Sequence, residues 1–127
     1  LVAQAQTNQQ GFGIDTFRRL NNAVVSGTLS SGGYTGSFHF LANLGSGAVS
    51  NGVMKSGDLD IHPLTGGSGS ISGSSLNVQG FSNDQSMTGN MNGTASRSSS
   101  GLSVSGSYEI NANGTSRQSG TFSGSGR

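Results

Sequence analysis

Cysteine is absent from this sequence, which excludes thiolate metal sites, disulfide staples and covalent haem attachment together. Charge is scarce as well. Six Lys and Arg stand against five Asp and Glu in 127 residues, with no basic run, acidic tail or Arg-aromatic cluster, so nucleic acid is not expected as a partner. No apolar run is long enough to cross a bilayer as a helix, and the alternating segments have a polar outer face rather than an aromatic-girdled lipid face. A membrane-spanning chain is therefore not expected. Hydrophobic residues make up only 30%, room for one small domain with a thin core.

Glycine and serine fill the space, 23 and 25 residues respectively, a bias that ordinarily marks a flexible linker. Periodicity argues otherwise, because nearly every apolar residue has an apolar or Gly partner two positions away, as in half-buried strands. The clearest case is residues 33–44, where Tyr34, Gly36, Phe38, Phe40, Ala42 and Leu44 share one face and Thr35, Ser37, His39 and Asn43 the other.

Before that strand the chain is different. Leu1-Val2-Ala3-Gln4-Ala5-Gln6 resembles the tail of a secretory signal with an Ala-x-Ala cleavage point before Gln6, or else it is an ordinary polar arm. Ile14, Phe17, Leu20 and Val24 then recur at helical spacing, which predicts a short helix with Arg18 and Arg19 on its wet side. Residues 1–24 are thus read as an arm and helix, and residues 25–127 as the Gly/Ser-rich domain.

Within that domain Val25, Gly27 and Leu29 form a hairpin with the strand at residues 33–44, and Val49 and Val53 share the next face. Leu59 and Ile61 alternate with Asp58, Asp60 and His62 in a further predicted strand, ended or held at an edge by Pro63. Gly67, Gly69, Ile71 and Gly73, then Leu76, Val78 and Gly80, then Met87, Gly89, Met91, Gly93 and Ala95 give three more. Leu102, Val104, Gly106, Tyr108 and Ile110 lead through Asn113-Gly114, a type I′ hairpin signal, to Gly120, Phe122 and Gly124. Eight or nine short strands with short connections predict an all-β, antiparallel up-and-down β-barrel, a sandwich of the same strands being the open alternative. A β-solenoid is disfavoured because no constant repeat length recurs.

The candidate chemical residues have plain explanations. His39 sits on an outward parity and His62 beside Pro63, so both are read as surface residues rather than metal ligands. Asp58 and Asp60 are read as a charged face protecting an edge strand rather than a catalytic or Ca²⁺-binding pair, and no Gly-x-Ser-x-Gly elbow supports a triad of Asp60, His62 and a serine. Met87 and Met91 face inward as core filling. Asn92-Gly93-Thr94 and Asn113-Gly114-Thr115 match a glycan acceptor pattern without further support. No catalytic, cofactor or metal residue is nominated, and no enzyme is expected.

Residues 33–38 through 44–50, an aromatic strand, glycine turn and following strand, together with residues 105–108 and 119–124 as a closing hairpin, resemble the β-barrel domain of bacterial transferrin-binding-protein-like surface proteins. Residues 109–115 replace the Gly-Pro-x-Ala-Glu turn of that family, and none of its binding loops can be matched, so no binding residue is carried over. The resemblance implies a bacterial extracellular or cell-surface module, associated with the outer membrane, that binds a macromolecular or small ligand through its loops. The alternative expectation is a structural subunit of an extracellular fibre or biofilm matrix, with other copies of itself as partner through the N-terminal arm, along a strand edge or groove.

Overall fold

The computed structural model describes residues 22–127. Eight strands follow in order: β1 (Asn22–Ser31), β2 (Tyr34–Asn43), β3 (Ala48–Lys55), β4 (Leu64–Ser72), β5 (Ser75–Ser82), β6 (Met87–Ser98), β7 (Gly101–Ala112) and β8 (Thr115–Gly126). Each pairs antiparallel with its neighbour in sequence, and β8 pairs back to β1 through Leu29 opposite Phe122, so the sheet closes into a barrel. The predicted short helix lies outside the described residues except for residues 22–24, which are in β1, Ala23 opposite Ala42 and Val24 opposite Leu41.

The connections explain the up-and-down path. Four are two-residue turns, among them Asn113-Gly114, whose φ values of 54° and 79° are those a type I′ hairpin requires. Only residues 56–63, between β3 and β4, form a long loop. The ninth strand expected at Asp58 to His62 is this loop.

Inward positions carry the core. Val25, Leu29, Phe38, Phe40, Met54, Leu64, Val78, Phe81, Met91, Tyr108, Ile110 and Phe122 are all buried, and Met87 packs partly against them. The Phe38 ring stacks on Phe40 with centroids 5.9 Å apart and meets Phe122 edge-on at 5.5 Å. Burying a large apolar side chain contributes roughly 1.5–3 kcal/mol, so these rings dominate the hydrophobic stabilisation.

Rings fit because glycines face them. A Cβ on Gly124 would lie 2.8 Å from Phe38 Cζ, and one on Gly52 would lie 2.8 Å from Phe81 Cε1. Gly27 and Gly124 are also direct partners across the closing β1–β8 pair, where a Cβ on Gly27 would stand 2.5 Å from the Gly124 Cα. Without side chains there, the strands approach and coil enough to close.

Three phase assignments are corrected. In β3 the inward residues are Val49 and Met54 rather than Val49 and Val53, because Asn51 takes a φ of 55° and the register to both flanking strands shifts beside it. In β5 the inward residue after Val78 is Phe81 and not Gly80, since Gly80 adopts a φ of 81° and reverses the alternation. Tyr34 is 45% exposed, because it begins β2 beside the Gly32-Gly33 turn, beyond the packed interior.

Outward positions are mostly hydroxyl and amide groups, with Val24, Leu41 and Val53 as half-buried apolar exceptions: Thr28 lies between Ser37 and Ser123, and Asn77 Nδ2 donates to Asn92 Oδ1 at 2.5 Å. This polarity is the reverse of that in a barrel crossing a membrane, whose apolar band faces outward.

Phe38→Ala is expected to lower stability by about 3–5 kcal/mol, as deletion of a packed ring does. Gly67→Ala is expected to lower it by about 1–3 kcal/mol, because the new methyl would overlap the fully buried Phe81 ring. Chemical denaturation of both variants checks this; unchanged midpoints would contradict the packing.

Candidate functional site

The polar groups buried in the described residues gather at one end of the barrel, where the β1–β2, β3–β4, β5–β6 and β7–β8 connections lie. The β3–β4 loop organises them through its own short side chains. Ser56 Oγ accepts the Asp58 N–H at 3.0 Å, Asp58 Oδ1 accepts the Asp60 N–H at 2.9 Å, and the Asp58 carbonyl accepts the Ile61 N–H at 3.0 Å. These bonds fold residues 58–61 into a turn. Asp58 and Ile61 therefore point into the barrel end while Leu59, at the tip, is 96% exposed.

This overturns the expected edge strand. Asp58 and Asp60 do not share a strand face: Asp58 is only 6% exposed, and a closed barrel has no edge to protect. Asp58 Oδ2 instead lies 2.7 Å from Arg117 Nη2, with Asp60 Oδ2 at 3.7 Å from the same nitrogen. Arg117 reaches them because β8 bulges: Ile110 pairs with Gln118 and Asn111 with Ser116, leaving Arg117 without a ladder partner. An unpaired bulge residue is free to re-aim its side chain.

Gln118, the next residue, continues the inward parity of Phe122 and is 7% exposed. Its Oε1 accepts the Tyr108 hydroxyl at 2.7 Å and the Ser56 hydroxyl at 3.0 Å, linking β7, β8 and the β3–β4 loop. Among the described residues its Nε2 has no hydrogen-bond partner, although it is buried. Burial pushes the Tyr108 phenol above its ordinary value, opposed by a hydrogen bond with the Ser31 side chain.

A recess of about 350 Å³ opens over this cluster, between Gly32, Gly33 and Tyr34 of the β1–β2 hairpin and Ser116, Arg117 and Gln118 of β8. Arg117 and Gln118 had no signal in the one-dimensional pattern beyond the inward parity of Gln118 with Gly120 and Phe122. The bulge that matters depends on pairing with β7.

The histidines do not converge. His39 faces outward from β2 opposite Val53, whereas His62 Nδ1 lies 3.7 Å from Asp84 Oδ1 on the surface. Asp60 faces Arg117, so no Asp60–His62 pair forms. Among the described residues no cluster of His, Cys, Asp and Glu has the make-up of a metal site. Asn92 of the first glycan-type triplet is tied to Asn77 and Asn90, while Asn113 sits in its turn. At the opposite end a groove of about 600 Å³ runs beside Val24, Ser26, Leu102 and Arg127. The chain matches no model of a known protein family and no curated protein.

The raised Tyr108 pKa fixes a pH dependence. Its neutral form is favoured in the folded state, so this contribution is fully present below the ordinary tyrosine pKa of about 10 and is lost as pH rises through the higher folded value. Tyr108→Phe is expected to lower stability by about 0.5–1.5 kcal/mol at neutral pH. The deficit should shrink above about pH 10, where only wild type has this phenol to ionise. Denaturation curves at both pH values check this, and a constant difference would contradict it.

Proposed function

We propose that this chain is a non-enzymatic bacterial extracellular or cell-surface module that binds its ligand at the barrel end capped by the β3–β4 loop. The observation that carries the reading is the pair of buried polar residues Asp58 and Gln118, joined by the part-exposed Arg117 beside a recess, at the end of a barrel whose interior is filled by its own side chains. A filled interior directs binding to the surface. The four connections at this end supply solvent-facing loop surface on a rigid scaffold, the arrangement that binding proteins use.

Asp58, the most buried carboxylate described, is committed to the Asp60 amide and to Arg117, which suits a structural floor better than a proton-transfer role. The resemblance to transferrin-binding-protein-like barrels supports surface binding through loops, and the Ser, Thr and Asn outer face suits an aqueous habitat. The alternative of a fibre subunit joined through the N-terminal arm meets one constraint: all eight strands are paired on both sides, so an arm from another copy has no strand edge here and would need the groove beside Val24 and Arg127.

Amide shift mapping of the ¹⁵N-labelled full chain against a fragment library of mixed chemistry tests the site. Hits are expected to perturb residues 32–34 and 116–119 together. Hits confined to the groove beside Val24, or scattered over the outer strands, would overturn this reading.

A further inference from the structure

We propose that residues 14–20 of this chain dock on the outer wall of the barrel, across an apolar stripe formed by Val24, Leu41 and Val53. None of the three lines the recess at the capped end, so docking here is independent of ligand binding there.

The stripe departs from the rest of the wall. Val24, Leu41 and Val53 each point outward between two buried neighbours in their strands, yet they are apolar and half-buried. Val24 and Leu41 are direct cross-strand partners, which places their Cβ atoms about 4.5–5.5 Å apart. Val53 pairs with His39, two positions along β2 from Leu41, a diagonal step of about 7–8 Å. The three therefore run obliquely over β1, β2 and β3. On β4 to β8 no outward-facing position carries an apolar side chain. Apolar residues scattered singly over a surface need no explanation, but a contiguous stripe confined to one side marks a contact surface.

The chain itself supplies the occupant. Residues 14–20 lead into β1, which begins at Asn22, so Leu20 is tethered four positions from Val24 at one end of the stripe. Ile14, Phe17 and Leu20 recur every three residues and share one face at helical spacing, with Arg18 and Arg19 on the wet side. That face has no place inside, because the barrel interior is filled by its own side chains. Length agrees as well: a helical run over residues 14–20 spans about 10 Å, and crossing from β1 to β3 takes two strand spacings, again about 10 Å. The groove on the other side of Val24 is a poorer seat, since Ser26, Ser100, Ser103 and Ser125 line much of it. A second copy offers the same residues, but so short a tether holds the chain's own segment at an effective concentration of roughly millimolar, which favours docking within one chain.

The test uses the full chain with ¹³C-labelled methyl groups and phenyl rings. Nuclear Overhauser contacts are expected from the Phe17 ring and the Ile14 and Leu20 methyls to the methyls of Val24, Leu41 and Val53. Mixing labelled with unlabelled chains separates contacts within a chain from contacts between chains. In parallel, the rate of chymotrypsin cleavage after Phe17 reports how often the segment leaves the wall. Leu41→Thr should speed that cleavage roughly tenfold, while Thr88→Ala on β6, across the barrel, should leave it unchanged. Leu41 points outward, so threonine there spares the core, and unchanged amide shifts in β4 to β8 verify the fold.

Contacts from Phe17 to another part of the wall, or to none of it, would overturn the proposal in the wild-type chain without need of a variant. A cleavage rate equal in Leu41→Thr and wild type would overturn it too. Contacts found only between labelled and unlabelled chains would overturn docking within the chain and make the stripe an interface between copies.

Discussion

Closing eight strands into a barrel leaves an interior only wide enough for side chains, and every feature of this chain answers to that limit. Phe38, Phe122 and Phe81 supply much of the apolar burial, and two of these rings, Phe38 and Phe81, need a facing position without a Cβ. Gly124 beside Phe38, and Gly52 and Gly67 beneath Phe81, supply those positions. Glycine within a strand costs roughly 0.5–1 kcal/mol relative to alanine, but burial of one ring contributes roughly 1.5–3 kcal/mol, so the pairing is favourable. A composition typical of a linker is here the composition of a narrow, closed core.

Period-two alternation made β2 and β7 legible from sequence, since Phe38, Phe40 and Ala42, and likewise Leu102, Val104, Tyr108 and Ile110, all face inward as it required. Alternation failed where the backbone changes hand. Asn51 and Gly80 adopt positive φ and shift the inward phase to Met54 and Phe81, and nothing in the residue types distinguishes Gly80 from the many glycines that do not act this way. Residues 58–62 misled for a related reason. Leu59 and Ile61 alternate as in a strand, but the hydrogen bonds of Ser56 and Asp58 fold the segment into a turn and send the two apolar side chains in opposite directions.

The candidate site was the least legible part because it is assembled by pairing rather than by proximity in sequence. Gln118 meets Ser56 across 62 positions, and Arg117 reaches Asp58 only because β8 carries a bulge opposite β7. The same loop that carries Ile61 into the barrel end therefore also holds Arg117 and Gln118, two residues that line the recess. Two short side chains each serve twice at that end: the carboxylate that shapes the loop is the one that pairs with Arg117, and the Gln118 oxygen ties Tyr108 and Ser56 together.

The central claim is closure through glycine, and the β1–β8 seam tests it most directly. Nuclear Overhauser measurements in the full chain should show cross-strand contacts between Gly27 and Gly124 and between Leu29 and Phe122, with slow amide exchange on both strands. Missing contacts across that seam, with β1 and β8 exchanging as rapidly as free edges, would contradict the account.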